Sequence, residues 1–190
     1  ILYLANWTRI IMSSELRVDK IIPTGGVPTG GGGGVIQVVQ KLFTTTFTSN
    51  VYVYTDVTGF TIDITPKFST SKILCFGHIS GMGTSNTRAL YRLLRTVSGG
   101  SAVSLAVGTD NIGNRAPCLG TIYTTDDESA ETFGYTVLDS PATTNSINYK
   151  IQISNGNNAD SSYLNRASGW SNNYAHGAPA SSLTLMEISA

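Results

Sequence analysis

Residues Phe60-Thr61-Ile62-Asp63-Ile64-Thr65 place an apolar side chain at every second position and a polar one between. Successive side chains of an extended chain point to opposite faces, so this run reads as a strand with one face buried and the other in water. Working outward, the same period of two appears at Val51-Tyr52-Val53-Tyr54-Thr55-Asp56-Val57, at Val103-Ser104-Leu105-Ala106-Val107 and at Ile147-Asn148-Tyr149-Lys150-Ile151-Gln152-Ile153. Turn chemistry separates these runs at Thr58-Gly59, Pro66, Ser98-Gly99-Gly100, Asp110-Asn111-Ile112-Gly113, Pro141 and Asn155-Gly156-Asn157-Asn158. About ten short strands, roughly eight to fifteen residues apart, predict an all-β protein, an antiparallel β-sandwich that is jelly-roll-like. Thr87 to Arg95 carries Leu90, Leu93 and Leu94 at helical spacing. It is short and runs into Ser98-Gly99-Gly100, which suits a hairpin loop, so a strand is expected there as well.

Composition agrees with that fold. The 190 residues suffice for one substantial domain. Ser and Thr make up about a quarter of the chain, Gly contributes 20 residues, and Lys, Glu and Gln are scarce, a bias towards strands and turns. Charged residues reach only 13%, and 12 Lys+Arg balance 12 Asp+Glu. A neutral chain argues against a nucleic-acid partner bound through bulk positive charge. No apolar run is long enough to cross a membrane as a helix, so membrane insertion is not expected either. The 41% hydrophobic share excludes a disordered polar chain.

Residues 1–34 differ from the rest. Ser13-Ser14-Glu15-Leu16-Arg17-Val18-Asp19-Lys20-Ile21-Ile22 mixes charge with alternating apolar positions, then gives way to Pro23-Thr24-Gly25-Gly26-Val27-Pro28-Thr29 and the glycines Gly30 to Gly34. Such a tract is a flexible joint. No Gly-Lys-Ser/Thr follows it, so it does not read as a phosphate-cradling loop. An extended N-terminal tether, residues 1–34, and a sandwich domain, residues 35–190, are therefore expected. The chain begins Ile-Leu-Tyr-Leu-Ala-Asn-Trp and reaches its first methionine at Met12. No basic leader with a small-residue cleavage pattern precedes Met12, and no signal peptide is expected. An expression remnant, upstream in-frame translation and part of a longer precursor all remain open for the first eleven residues.

Titratable groups are few. His78 and His176 are nearly a hundred residues apart, with no Gly-x-Ser-x-Gly elbow or Cys-His signature, a weak basis for nucleophilic catalysis. No His-x-His, His-Glu-x-x-His or Cys-x-x-Cys spacing offers a metal site, and no cofactor is expected. Asp126-Asp127-Glu128 with Glu131 is the densest carboxylate group. It offers hard-cation ligands or a glycosidase pair, but lacks the order of a calcium loop, and the plainer reading is a solvated loop. Arg88, Arg92 and Arg95 read as packing or intersubunit contacts. Cys75, inside Ile73-Leu74-Cys75-Phe76, reads as a buried thiol, and a bond to Cys118 does not follow from two lone cysteines.

The stretch Tyr163-Leu164-Asn165-Arg166-Ala167-Ser168-Gly169-Trp170-Ser171-Asn172-Asn173-Tyr174, with His176 beyond it, is more suggestive. Aromatics interleaved with amides in a loop can stack on sugar rings and bond hydroxyls without net charge. Tyr163, Trp170, Asn172, Asn173, Tyr174 and His176 are the candidate glycan contacts; the plainer reading is an aromatic cap on the sandwich.

Whole segments carry a family likeness. Glu15 to Gly30, Val35-Ile36-Gln37-Val38-Val39-Gln40, Asp56-Val57-Thr58-Gly59-Phe60, Ile64-Thr65-Pro66, Ser71-Lys72-Ile73-Leu74, Gly113-Asn114-Arg115, Leu138-Asp139-Ser140-Pro141, Asn148-Tyr149-Lys150-Ile151-Gln152, Leu164-Asn165-Arg166 and Leu183-Thr184-Leu185-Met186-Glu187-Ile188 resemble virion structural proteins of tailed marine and cyanobacterial phages, described as tail-fibre-like, head-fibre or decoration proteins. The resemblance covers nearly everything from Met12 onward and carries no catalytic motif. It implies a non-enzymatic homotrimer on the virion exterior, capsid or tail. The N-terminus would dock on other virion proteins, through Leu16, Val18, Ile21 and Ile22. A β-rich knob would be displayed outward, its trimer axis lined by Val35, Ile36, Val38 and Val39, with host-surface carbohydrate as the candidate ligand. Three copies of His78 converging on a metal would be a trimer-only site. The rivals are a particle-stabilising cement protein with no ligand and, ranked below it, a glycan-degrading depolymerase pairing two of Asp126, Asp127, Glu128 and Glu131.

Overall fold

The computed structural model describes residues 34–109, 113, 115–156, 160–172 and 176–189. Every strand described belongs to the unit Gly32–Ala190. Leu16, Val18, Ile21 and Ile22 lie outside the described residues.

Eleven strands follow in order: β1 Val35–Phe43, β2 Phe47–Ser49, β3 Thr55–Ile64, β4 Lys72–Gly83, β5 Thr87–Val97, β6 Ala102–Leu105, β7 Gly120–Thr124, β8 Glu131–Asp139, β9 Ile147–Asn155, β10 Ser162–Leu164 and β11 Ser181–Ile188. All pairings are antiparallel. In the first sheet β4 takes β8 on one side and, on the other, β11 and β10 end to end, which pair in turn with β1 and β2. In the second sheet β9 joins β3 to β5, whose far side takes β7 and β6 end to end. With each end-to-end pair counted as one broken strand, each sheet is four strands wide, and consecutive strands swap sheets in the jelly-roll manner except at the step from β5 to β6.

Inward positions of both sheets build one core. Ile73, Cys75 and Ile79 on β4, Ala89, Tyr91 and Leu93 on β5, Ile147, Tyr149, Ile151 and Ile153 on β9, and Leu183 and Leu185 on β11 are fully buried. The helical spacing of Leu90, Leu93 and Leu94 does not prevail, and Thr87–Val97 is a strand. Leu93 fills the core, while pairing with both β9 and β6 satisfies the backbone. Ser98-Gly99-Gly100 turns the β5–β6 hairpin, with Gly99 at φ 78° and Gly100 N–H bonded to Val97 O.

Two local expectations are corrected. Val51 to Tyr54 is not strand: the chain there crosses from one sheet to the other without a continuous neighbour, and regular pairing starts at Thr55. Thr58-Gly59 is not a chain reversal but a bulge inside β3, where the register jumps between Asp56 and Thr61. Gly59 adopts φ 84°, which a glycine tolerates at no steric cost. The bulge lets Val57 and Phe60, three residues apart, both point inward, and Phe60 stacks on Phe43 with ring centroids 4.9 Å apart.

Candidate functional site

The β10–β11 connection, residues 165–180, holds the aromatic stretch and starts from a fixed point. Asn165 is buried at φ 56°, a left-handed conformation that asparagine adopts more readily than most residues. Its Nδ2 donates to Phe43 O at 2.7 Å and to Thr45 O at 3.0 Å, holding the break between β1 and β2, while its Oδ1 accepts from Ser181 Oγ at 2.7 Å.

Arg166, the next residue, organises the aromatics. Its guanidinium carbon lies 4.9 Å from the Tyr163 ring centroid and 5.7 Å from that of Trp170. Its nitrogens donate to Ala167 O and Ser168 O. The charge is thus spent on the loop's own backbone and on two ring faces. Trp170 remains 39% exposed beside a depression of about 420 Å³ lined by Trp170, Ser171, Asn172 and His176. His176 Nδ1 accepts the Ser171 N–H at 3.1 Å, so in the neutral ring the proton sits on Nε2. Trp170, Asn172 and His176 are therefore brought together, and Tyr163 joins them through Arg166. Asn173 and Tyr174 lie outside the described residues.

Two members of the acidic cluster, Asp126 and Asp127, bond the loops around them. Asp127 Oδ1 accepts Ser85 N–H at 3.0 Å and Ser168 Oγ–H at 2.6 Å, and its carbonyl accepts Gly169 N–H at 2.7 Å. One residue thereby ties together the β4–β5, β7–β8 and β10–β11 connections. Asp126 Oδ1 accepts the Glu128 and Ser129 N–H groups, which hold its carboxyl below the ordinary carboxylate value. Among the described residues no three His, Cys, Asp or Glu side chains gather as a metal site. On β4, His78 Nε2 donates to Ala180 O at 3.1 Å and its Nδ1 accepts from Ser182 Oγ at 2.9 Å, which occupies both ring nitrogens.

Arg88 and Arg92 make contacts within the chain. Arg88 lies over Tyr123, and Arg92 stacks 3.6 Å above the centroid of Tyr54. Arg92 Nη2 and the Tyr54 hydroxyl both donate to Pro117 O at 3.0 Å. Burial, then the neighbouring Cys118, push the Tyr54 phenol up to about 12 despite the opposing Arg92 charge. Cys75 and Cys118 are both free thiols.

The residues expected at a trimer axis divide between faces. Val35 and Val38 are 54% and 52% exposed, Ile36 sits at a register shift, and Val39 packs against the core. Two organising residues were not singled out as contacts in the sequence. Arg166 could have been found as a cation between Tyr163 and Trp170, whereas the Asp127 clamp joins residues some 40 positions apart and leaves no local signal.

No protein-family model matches the chain. No curated protein matches it either. Among solved structures it is similar to the structure of infectious bursal disease virus Gx strain, with a TM-score of 0.41 and 14% identity over 92% of this chain and 43% of that one. It is also similar to the infectious bursal disease virus VP2 subviral particle, with a TM-score of 0.38 and 16% identity over 81% of this chain and 37% of that one. The chain thus spans less than half the length of these structures.

Proposed function

We propose that this chain is a non-enzymatic virion structural protein: a homotrimeric knob on the capsid or tail exterior, docked on other virion proteins by its N-terminal tether, that recognises host-surface carbohydrate. The observation that carries the ligand reading is the exposed Trp170 indole, held over Arg166 and bordered by Ser171, Asn172 and His176. A flat apolar ring with neutral hydrogen-bonding groups at its rim suits a pyranose ring, whose CH face stacks while its hydroxyls bond outward. The engagement of Asp126 and Asp127 with backbone and loop hydroxyls supports a binding rather than a hydrolytic role. The virion setting rests on the sequence resemblance from Met12 onward.

The test is a glycan-array profile of the full chain at low and high salt, repeated with Trp170→Ala. Binding to neutral glycans that is insensitive to salt and falls at least tenfold in the variant, with unchanged thermal unfolding, is the expected result. No glycan binding, together with particles destabilised by removal of residues 12–22, would favour the cement role. Release of reducing sugar from host polysaccharide would favour the depolymerase.

A further inference from the structure

The two outward faces of the sandwich differ in kind. On the β3–β9 half of the second sheet the outward side chains are laced together: Lys150 Nζ lies 2.6 Å from Asp56 Oδ2, Gln152 Nε2 donates to Asp56 Oδ1, and Asn148 Nδ2 donates to Asp63 Oδ1 and Thr61 Oγ1. Leu90, Leu94 and Tyr123 on its other half are interrupted by Arg88 and Arg92 and form no continuous apolar row. On the first sheet the register sets Val38 opposite Met186, Met186 opposite Leu74, and Leu74 opposite Leu138, so one apolar row crosses all four strands. Its two ends are its most exposed members, Val38 at 52% and Leu138 at 59%.

The rows on either side of the middle complete a pattern. The next row runs Gln40, Thr184, Phe76, Thr136, and the one after it Leu42, Ser182, His78, Gly134. Leu42 is 56% exposed at one edge of this last row, and at the other edge Gly134 has no side chain. A depression of about 580 Å³ lies there, lined by Gly134 with Phe76, His78, Thr136 and Ser182 among others.

We propose that the outward face of the first sheet is where copies of this chain meet, with the β1 edge of one copy set against the β8 edge of the next around a threefold axis parallel to the strands. This rests on the trimeric reading above and supplies its interface. Threefold symmetry brings residues of one row to the same height, so Val38 of one copy meets Leu138 of the next. Leu42 enters the depression over Gly134, and Gln40, whose Nε2 donates to Thr184 Oγ1 in its own chain, offers its Oε1 to the Thr136 hydroxyl. The contact is heterologous and closes into a ring. The dimensions agree: three faces about 19 Å wide, four strands at about 4.8 Å each, close with every sheet about 5.5 Å from the axis, near half the roughly 10 Å spacing of packed sheets. Phe76, Leu74 and Met186 on the two middle strands then fill the centre. Lys72, bonded to Ser140 Oγ, is the one charged side chain at the outward positions of β4 between Lys72 and His78, so like copies approach without strong repulsion. An apolar centre with a rim of Gln, Thr and Ser is the usual anatomy of such a contact.

The test is solution mass by light scattering on the full chain and three variants: Val38→Lys, Leu138→Glu, and both together. The native chain is expected at three times the monomer mass. Each single variant should fall to monomer with an unchanged circular dichroism spectrum, and the double variant should return to trimer, because the new charges meet across the contact. A chain carrying Val38→Cys and Leu138→Cys should give covalent trimers on oxidation, a readout that requires no loss of assembly. A trimeric native chain whose single variants stay trimeric, with no cross-linking of the cysteine pair, overturns this interface and leaves the trimeric reading standing. A monomeric native chain overturns both.

Discussion

Arg95 and Asp139 form an ion pair between the two sheets, with Arg95 Nη1 2.7 Å from Asp139 Oδ1 and the carboxylate side chain only 7% exposed. Arg95 belongs to β5 in the second sheet and Asp139 closes β8 in the first. The second sheet contributes again through the Tyr149 hydroxyl, which donates to Asp139 Oδ2 at 2.7 Å. Burial, reinforced by that carboxylate, pushes the Tyr149 phenol well up.

Removing one member of such a pair leaves the other charge buried and unpaired. Asp139→Ala should therefore destabilise the fold by about 3–5 kcal/mol, while Arg95→Met with Asp139→Leu and Tyr149→Phe, which leaves no buried donor unpaired, should cost much less. Chemical denaturation of the two variants measures this; equal losses would mean that the pair itself, and not the orphaned charge, sets the cost.

Asn165 is a second buried polar junction, bonded to the β1–β2 break and to Ser181. Asn165→Ala removes both donors to the β1–β2 break and the acceptor of Ser181, and leaves a non-glycine residue at φ 56° without its side-chain bonds. A loss of about 2–4 kcal/mol is expected, since buried partners lose their hydrogen bonds. A loss below a quarter of that value, measured by urea denaturation, would show that water replaces the carboxamide.

Acid should weaken the outward ladder of the second sheet. Burial acts to raise the Asp56 carboxyl, but the hydrogen bonds from Lys150 and Gln152 and the Lys150 charge outweigh it and hold the group below its ordinary value. A lowered carboxylate contributes stability above its unfolded pKa, about 3.9, and loses it as pH falls through the lower folded value. Asp56→Asn should flatten the fall of the urea midpoint between about pH 5 and pH 2. An unchanged slope would mean that other carboxylates carry the acid sensitivity.

Alkali and thiol reagents should single out Cys75. Burial, with the Asp139 charge adding to it and Arg95 opposing, pushes this thiol up to about 12. Stability from the buried neutral thiol is complete below the unfolded pKa, about 8.5, and erodes as pH rises towards the folded value. In the native protein at pH 8, alkylation followed by mass spectrometry should label the half-buried Cys118 and leave Cys75 untouched until unfolding. Equal labelling of both would place Cys75 outside a tight core.

The period of two made Ile62, Ile64, Tyr149, Ile151 and Ile153 legible as inward residues, and the glycines of Ser98-Gly99-Gly100 marked the hairpin. Val51 to Tyr54 shows the limit of that signal: the alternation is present, but a strand needs a ladder, and the end of β9 offers only the Asn155 N–H to Val51 O and the Ser154 Oγ–H to Tyr52 O. Gly59 shows another, since a glycine that permits a bulge looks the same in sequence as one that permits a turn. In the aromatic loop the residue types were legible, while the Arg166 contact with two rings and the Asp127 clamp depend on where distant loops meet.

The sequence by itself determined the all-β class, the strand spacing, the neutral surface and the aromatic loop, because each follows from the chemistry of neighbouring residues along one extended chain. Only the tertiary structure decided which strands pair and in what register. Those choices gathered Val38, Met186, Leu74 and Leu138 into one row across four strands drawn from both ends and the middle of the chain. Pairing is a contest among long-range contacts settled by the burial of the whole core at once, and no local window of residues holds its outcome.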